Sequence, residues 1–362
     1  MQDYKNPNLL LSETDFEPGK VLWRSPSNLA IVKYWGKYGV QLPRNPSISF
    51  TLENAFTETV LEYAPRTSGK EGVQLDFLFH GEMNEPFRLK MVKFLKSITD
   101  IFPFLNQMDL RVQSANSFPH SAGIASSASS MSALALALCS VEDELFDTLG
   151  DDDAFEKKAS FVSRLGSGSA CRSIFGTMGL WGEMDGVEGS SNLYALPYAD
   201  NVHDVFKTFH DDILIASKSE KSVSSRAGHA LMEDNDYAEP RYRQANQRMK
   251  DLLSALQSGD VEKFGTIAEN EALTLHALMM TSEPSYLLMR PNSLKMIEII
   301  RDYRQRTGHQ VYFSLDAGPN LHVLYPEDIV HEIRPFIENE LVQYCEDEIW
   351  IPDWVGNGPV QI

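Results

Sequence analysis

Two stretches of small residues in this chain have the composition of loops that bind anions. The first, FPHSAGIASSAS at 118–129, runs into an apolar helical segment. Glycine and other small residues let a ligand approach the backbone, and a helix N-terminus offers unpaired N–H groups and the positive end of the helix dipole. Serine hydroxyls add donors and can ligate Mg²⁺ on a nucleotide. The segment fits either a phosphate-binding loop or a small-residue turn that caps a core helix.

The second stretch, RLGSGSACRSIFG at 164–176, repeats this composition and adds a cation. Its glycines and serines can form a backbone nest around an anion. The planar guanidinium of Arg172 can bind a carboxylate through two parallel hydrogen bonds. A flexible loop with a surface arginine is the alternative, although two such loops in one chain make that alternative harder to maintain.

Three further positions carry charges in unusual places. Lys33, in KYWGK at 33–37, interrupts an apolar strand, and a buried lysine is costly unless it has an anionic partner. Asp316 lies where a strand meets the turn DAGPN, and SVSSR at 222–226 joins small polar residues to a cation. The alternatives are that Lys33 is an edge lysine pointing to water, that Asp316 only forms a turn, and that 222–226 is a solvated loop.

The composition narrows the class of protein. The chain has 362 residues, 43% of them apolar, and a formal net charge of −19. This length suggests two domains of roughly 150 residues, or one large domain. Such an acidic chain argues against nucleic acid and anionic membrane as partners, so cations that bind an anionic substrate must be gathered locally.

The cysteines and the N-terminal segment indicate a compartment. Cys139, Cys171 and Cys345 lie far apart without a CxxC spacing, which argues against a disulfide framework and a cysteine-based zinc site. The first residues lack the pattern of a secretory signal peptide. We therefore expect a reduced, cytoplasmic environment.

Apolar spacing and turn residues predict strands and helices in both halves of the chain. Strands are predicted at 27–35, 47–60, 73–79, 110–112, 213–217 and 311–315. Helices are predicted at 87–101, 131–141, 156–165, 247–256, 261–279 and 293–304. The mixture without βαβ repeats indicates an α+β fold, with a domain boundary in the loop-like stretch 185–205. Acidic clusters at 142–144, 151–153 and 346–348 indicate solvated faces and helix N-termini.

Together these motifs resemble the mevalonate diphosphate decarboxylase family of the GHMP kinase superfamily. The matching segments are NLAIVKYWGK at 28–37, LP at 42–43, SIS at 47–49, NSFP at 116–119, AGIASSA at 122–128, GSGSACRSIF at 166–175 and DAGPN at 316–320. They extend through nearly the whole chain. The strings KYWGK and GSGSACRS are the specific part, since GHMP kinases in general share only the serine-rich loop.

The resemblance implies the two-domain GHMP kinase fold. A ribosomal-S5-like N-terminal domain would comprise residues 1–205 and a ferredoxin-like C-terminal domain residues 206–362, with the tail from about 346 returning to the first domain. The implied reaction is ATP- and Mg²⁺-dependent decarboxylation of mevalonate 5-diphosphate to isopentenyl diphosphate, with release of ADP, phosphate and CO₂ after transient phosphorylation of the 3-hydroxyl. This is a step of isoprenoid biosynthesis, and homodimers are usual in the family.

The family's catalytic residues match four positions of this sequence. By this match, Asp316 is expected beside the 3-hydroxyl as base or orienting acceptor. Arg172 is expected to bind the C1 carboxylate, with Asn28 supporting it or the substrate. Lys33 is expected to neutralise charge around the transferring phosphoryl group and to favour the ionised form of Asp316.

The resemblance also implies two sets of binding residues. The substrate positions are Tyr34, Trp35, Gly36, Lys37, Ser167, Gly168, Ser169, Ala170, Cys171, Arg172, Ser225 and Arg226. The ATP positions are Asn116, Gly123, Ile124, Ala125, Ser126 and Ser127, with Ser126 or Ser127 near Mg²⁺. We expect Lys33, Lys37, Arg172 and Arg226 to form a positive pocket on an otherwise negative surface.

Three other functions fit parts of the sequence. A kinase of the same superfamily acting on the mevalonate 3-hydroxyl needs the ATP loop but not the set Lys33, Arg172 and Asp316. A decarboxylase of mevalonate 5-phosphate would lack the outer phosphate, and the presence of Arg226 favours the diphosphate. A catalytically silent GHMP-fold sensor needs no base at Asp316.

Overall fold

In a computed structural model of the chain, the described residues are 4–12, 16–67, 69, 71–119, 124–219 and 222–362. The first half of the chain forms most of a large sheet. The strands of this half are β1 (Gly19–Val32), β2 (Lys37–Tyr38), β3 (Leu42–Pro43), β4 (Ser47–Pro65), β5 (Gln74–Phe79), β6 (Glu82–Met83), β7 (Met108–Asn116), β8 (Met178–Trp181) and β9 (Ala195–Pro197). Strands β2 and β3 form a separate two-stranded sheet, and the others belong to the large one. The helices of this half are α1 (Glu85–Ser97), α2 (Ser126–Phe146) and α3 (Asp152–Gly166).

The second half forms a smaller sheet covered by helices. Its helices are α4 (Ser225–Ala230), α5 (Ala238–Ser258), α6 (Val261–Met280), α7 (Pro291–Thr307) and α8 (Val330–Phe336). The strands of the small sheet are β10 (His210–Leu214), β11 (Tyr312–Ser314), β12 (Leu321–Tyr325) and β13 (Trp350–Ile351), and the last strand, β14 (Val360–Gln361), belongs to the large sheet. None of the helices in the described part of the chain combines the length and apolar character needed to cross a membrane.

Long antiparallel pairs organise the large sheet. Its order is β14-β1-β4-β7-β5-β6, with β8 joining β4 and β9 joining β8. The only parallel pairing among the described strands of this sheet is between β5 and β7. Helix α2, apolar on nearly every face, packs between the sheet and α3, as expected of a helix buried all round.

A shared apolar core joins the two halves. Leu29, Ile31 and Val32 on β1 pack in one cluster with Met249 of α5 and Phe264 of α6. The small sheet, in the order β11-β12-β10-β13, lies behind these helices. The end of β1 is thereby held against the second half, which brings Lys33 towards the turn between β11 and β12.

The C-terminal segment crosses from the small sheet to the large one. Strand β13 pairs with β10, Val355 bridges to Leu52 and β14 pairs with β1. The Asp353 carboxylate accepts the backbone N–H groups of Glu53 and Ala55 at 2.9 and 2.8 Å.

The longer predicted elements are confirmed, and several boundaries are wrong. The predicted strand 27–35 ends at Val32, and the strand predicted at 213–217 is His210–Leu214. Asp151 caps α3 by accepting the Ala154 N–H at 2.7 Å, as expected. Glu142 does not lie on a solvated face, because it is buried against the ammonium of Lys158 at 2.7 Å.

Candidate active site

A cavity of about 530 Å³ lies where the two halves meet, and most of the predicted site residues line it. It is enclosed by the end of β1, the N-terminus of α2, the segment after α3, helix α4 and the turn between β11 and β12. The predicted residues that line it are Lys33, Tyr34, Trp35, Lys37, Ala125, Ser126, Ser127, Ser167, Gly168, Ser169, Arg172, Ser225, Arg226 and Asp316.

Lys33 and Asp316 form an ion pair in this cavity. The Lys33 Nζ donates to Asp316 Oδ1 at 2.9 Å, and the side chains are 2% and 22% exposed. Lys33 follows the last residue of β1, and Asp316 follows β11 by two residues. Lys33 is therefore a buried, paired lysine, and the alternative of an edge lysine pointing to water is wrong.

Arg172 is buried among neutral partners. Its Nε donates to Ser49 Oγ at 2.9 Å, its Nη1 to Ser47 Oγ at 2.7 Å and its Nη2 to Asn28 Oδ1 at 3.3 Å. Among the described residues, no carboxylate lies within ion-pair distance of this guanidinium. Burial lowers the pKa of Arg172 from its ordinary value, while Cys171 and, to a lesser extent, Asp316 act in the opposite direction.

The Arg172 environment suits an external anion. A guanidinium has five N–H donors, the three contacts above use three of them, and Arg172 lines the cavity. A buried charge without a counter-charge is costly. A carboxylate on a bound molecule would supply that counter-charge, which makes Arg172 the part of the cavity best suited to recognise one.

The KYWGK turn is held by a histidine of α4. Nδ1 of His229 accepts the Gly36 N–H at 3.0 Å, and the His229 ring lies 4.4 Å from the ring of Tyr34 and 4.5 Å from that of Trp35. Gly36 has φ +96°, and a Cβ there would lie 2.2 Å from the hydroxyl of Tyr242. A glycine is thus required for this turn to reach its observed position.

Two cations extend from this turn and from α4. Lys37 Nζ donates to Gln41 Oε1 at 2.9 Å, and Arg226 is exposed at the cavity edge. Burial, together with the nearby charge of Arg226, lowers the pKa of Lys37 from its ordinary value. Burial, together with the charge of Lys37, lowers the pKa of His229 to about 3, so that its ring is neutral near pH 7.

The serine-rich loop meets the other small-residue segment at the N-terminus of α2. Ala125, in the left-handed conformation with φ 41°, precedes the helix without a side-chain cap. Asn116 Nδ2 donates to Ser126 Oγ at 3.3 Å, and the hydroxyls of Ser127 and Ser167 are 3.2 Å apart. Both predicted anion-binding segments therefore face one cavity. Gly123 lies outside the described residues.

Six predicted residues stand behind the cavity wall. Asn28 is buried and donates to Ser173 Oγ at 2.7 Å while it accepts from Arg172. The others among the described residues are Gly36, Asn116, Ile124, Ala170 and Cys171. Burial raises the pKa of the Cys171 thiol to about 12, so this cysteine is not a thiolate near neutral pH.

The structure adds residues that the sequence did not indicate. Lys90 and Phe87 reach the cavity from α1, and His229, Gln41 and Leu275 also line it. Lys90 gave no signal, because it lies on the polar face of an ordinary amphipathic helix. His229 could have been found, since it follows Arg226 by three residues on the same short helix. With Lys90, the described residues of the lining include five cations and one carboxylate.

Two family models match the chain in succession. Residues 25–193 match the diphosphomevalonate decarboxylase-like N-terminal domain, and residues 212–349 match the mevalonate 5-diphosphate decarboxylase C-terminal domain. The chain belongs to the diphosphomevalonate decarboxylase family. This membership agrees with the convergence of Lys33, Arg172 and Asp316, whose motifs lie in both matched regions.

This chain is similar to curated diphosphomevalonate decarboxylases over most of their length. The enzyme of Ganoderma lucidum is 29% identical over 331 residues, which are 86% of this chain and 80% of the relative. That of Debaryomyces hansenii is 28% identical over 319 residues, which are 84% of this chain and 79% of the relative.

Solved structures of the decarboxylase family show the same architecture. Mevalonate diphosphate decarboxylase from Staphylococcus aureus has a TM-score of 0.80 at 26% identity, with 96% of this chain and 98% of that chain covered. A second solved structure, of the protein named MDDEF in complex with MVAPP, AMPPCP and magnesium, has a TM-score of 0.80 at 27% identity. The match covers 96% of this chain and 99% of that chain. The chain has the two-domain GHMP kinase fold of these decarboxylases.

Proposed function

We propose that this chain catalyses the ATP- and Mg²⁺-dependent decarboxylation of mevalonate 5-diphosphate to isopentenyl diphosphate, with release of ADP, phosphate and CO₂, in the mevalonate pathway. The observation that carries the proposal is the buried guanidinium of Arg172, which has no carboxylate partner among the described residues, in the same cavity as the Lys33–Asp316 ion pair. A carboxylate clamp beside a base is what a decarboxylase needs and a simple kinase does not.

Asp316 acts on the 3-hydroxyl in this proposal. Its carboxylate is partly exposed to the cavity, and the Lys33 ammonium at 2.9 Å is its counter-charge. Proton removal by a positioned carboxylate contributes typically about 10²–10⁴-fold to the rate. Lys33 also places a fixed positive charge where negative charge accumulates on the transferring phosphoryl group.

Arg172 fixes the C1 carboxylate of the substrate. Ser47, Ser49 and Asn28 hold its guanidinium from behind, so its plane is set before the substrate arrives. A bidentate contact would orient the bond between C1 and C2 towards C3. After the phosphorylated 3-oxygen leaves as phosphate, the electrons of the C1–C2 bond form the alkene between C2 and C3 as CO₂ leaves.

A second group of lining residues binds the 5-diphosphate in this proposal. Lys37 and Arg226 provide the charges, and Ser225 lies beside them on α4. Ser167, Gly168 and Ser169 provide small side chains and backbone donors, while Tyr34 and Trp35 form the wall, with the turn residue Gly36, Ala170 and Cys171 behind it. Because cations outnumber carboxylates among the described lining residues, the cavity is suited to a substrate with several negative charges.

The N-terminus of α2 fits the phosphates of ATP. It faces the cavity, has no side-chain cap, and presents Ser126 and Ser127 beside small residues. When bound, ATP with Mg²⁺ supplies the phosphoryl group that makes the 3-oxygen a leaving group. Ile124 and Ala125 precede the helix, Asn116 orients Ser126, and Ser126 or Ser127 would lie near the metal through the nucleotide phosphates. Gly123 stays a sequence-based proposal for this ATP site.

We also propose the organisation of the whole molecule. Residues 1–205 would form the ATP-binding domain and residues 206–362 the second domain, a division that agrees with the two regions matched by family models at 25–193 and 212–349. Family resemblance favours a homodimer, to be tested by light scattering after size exclusion. The three cysteines are free and buried, which fits a cytoplasmic location, to be tested by cell fractionation.

Product analysis tests the proposed reaction. The protein is incubated with ATP, Mg²⁺ and either mevalonate 5-diphosphate or mevalonate 5-phosphate, and ADP, CO₂ and isoprenoid products are measured. We expect isopentenyl diphosphate and CO₂ from the diphosphate. ADP with a stable 3-phosphorylated product and no CO₂ would identify a kinase, turnover only of the monophosphate would change the substrate, and ligand binding without turnover would identify a sensor.

A further inference from the structure

The backbone of Lys33 is held by a buried ion pair from the second half of the chain. Glu271 Oε2 accepts the Lys33 N–H at 2.9 Å, and Arg241 Nη2 donates to the Lys33 carbonyl at 3.2 Å. Arg241 also donates to both carboxylate oxygens of Glu271, at 2.6 and 2.5 Å. The pair therefore bonds to both backbone polar groups of Lys33, its N–H and its carbonyl.

This pair, together with Asn45, holds the chain where the sheet ends, since Asn45 Nδ2 also donates to the Lys33 carbonyl at 3.2 Å. Lys33 lies just beyond β1, so strand pairing no longer fixes its backbone. Glu271 is fully buried on α6, and Arg241 is 3% exposed on α5. Burial alone would raise the pKa of Glu271, but Arg241 and the hydrogen bonds from Arg241 and Arg248 outweigh it, so the pKa lies below its ordinary value.

Helix α6 contacts the partner of Lys33 as well. Five residues after Glu271, Nε2 of His276 donates to the backbone carbonyl of Asp316 at 3.1 Å. One rigid helix thus touches the backbones of both members of the Lys33–Asp316 pair. The separation between the ammonium and the carboxylate is set from a common element of the fold.

We propose that Arg241 and Glu271 are positioning residues that fix the backbone of Lys33, so that its ammonium reaches Asp316 and the transferring phosphoryl group together. The inference rests on the proposed function, since it assigns no chemistry of its own to the pair. Misplacement of a catalytic group by about 1 Å can cost about 10²-fold in rate.

A purely structural ion pair is the alternative, and the same helix offers a control. Glu269, also on α6, accepts from Arg304 Nη1 and Nη2 at 2.6 and 3.2 Å, and Arg304 bonds to the Val311 carbonyl rather than to Lys33. Arg241 and Arg304 therefore have similar partners, and only Arg241 contacts the site.

The test compares Arg241→Lys with Arg304→Lys in the full chain. A lysine keeps the charge but lacks the planar fork that bonds to Glu271 and the Lys33 carbonyl together. We expect Arg241→Lys to lower kcat by about 10–10²-fold with KM for both substrates unchanged, while Arg304→Lys keeps the parental kcat. Equal losses of kcat in the two variants, in proportion to the loss of melting temperature, would overturn the proposal.

Two double variants separate positioning from charge burial. Both contain Arg241→Met, combined with Glu271→Gln, which keeps an oxygen for the Lys33 N–H, or with Glu271→Leu, which keeps none. Both lack the charges of Arg241 and Glu271, and both keep Arg248, which is 19% exposed and bonds to Glu271 Oε1 at 2.8 Å in the parent. We expect a clearly higher kcat for the Glu271→Gln double variant, and equal kcat values would contradict the inference. An inactive parent protein would instead reject the proposed function.

Discussion

Removing the carboxylate at position 316 is the most demanding test of the assigned chemistry. Asp316→Asn keeps the size of the side chain and an oxygen that can accept from Lys33 at the present 2.9 Å, but it removes the base. We expect kcat to fall by about 10²–10⁴-fold, which corresponds to about 3–5 kcal/mol in the activation barrier. KM should change little, because the carboxylate and diphosphate contacts of Arg172, Lys37 and Arg226 remain.

The same substitution has a cost in stability that can be bounded. Removing one partner of a fully buried pair costs about 3–5 kcal/mol. Asp316 is 22% exposed and asparagine retains one hydrogen bond, so we expect a smaller loss of about 1–3 kcal/mol in the free energy of unfolding. The stability of Asp316→Asn is measured by denaturant unfolding.

Steady-state kinetics with coupled ADP detection, and calorimetric substrate binding, separate the contributions to activity. Asp200→Asn, the same substitution at an exposed position outside the site, is the control variant for both measurements. A loss confined to KM, or a kcat equal to that of the parent, would refute the assignment of Asp316 as base.

Three further outcomes follow from the site. Arg172→Lys cannot reproduce the three contacts of the guanidinium, so we expect kcat/KM for mevalonate diphosphate to fall by about 10²-fold in steady-state assays, and an unchanged value would remove the carboxylate clamp. His229 has a pKa of about 3 in the folded chain, against an ordinary histidine pKa of 6.5. The unfolded chain therefore binds the extra proton, and stability declines as pH falls from about 6.5 towards 3. In His229→Phe this contribution is absent, so the stability advantage of the parent should shrink by up to about 1.4 kcal/mol per pH unit between about pH 6 and pH 4. A constant difference in chemical denaturation would contradict the buried neutral ring. Gly36→Ala introduces a Cβ at φ +96° and 2.2 Å from Tyr242, so we expect a loss of about 1–3 kcal/mol in stability and a raised KM, and a parental KM would show that this turn does not hold substrate.

The sequence motifs predicted which charged residues come together, but the distances between them depend on the tertiary fold. Lys33 stood out because a lysine in an apolar strand requires an anion, and Asp316 stood out through its turn motif. Nothing in the local sequence indicated a separation of 2.9 Å across 283 positions. That contact depends on the apolar cluster between β1 and the α5–α6 hairpin.

Residues that act through the backbone of others were not predictable from local patterns. Glu271 lies in the segment TIAENEALTLHA, where two acidic residues look alike, and only tertiary packing makes one a partner of Arg241 and Lys33. Lys90 is one lysine among several on α1. The two-residue strand β14 carries no periodicity, since its pairing with β1 depends on how the tail crosses the molecule.

A crystal structure of this chain with mevalonate 5-diphosphate would test the central arrangement most directly. We predict the substrate in the cavity between the halves, with its carboxylate on the Arg172 guanidinium, its 3-hydroxyl within hydrogen-bond distance of Asp316, and its diphosphate near Lys37 and Arg226. A substrate bound elsewhere, or with its carboxylate remote from Arg172 and its 3-hydroxyl remote from Asp316, would contradict the account.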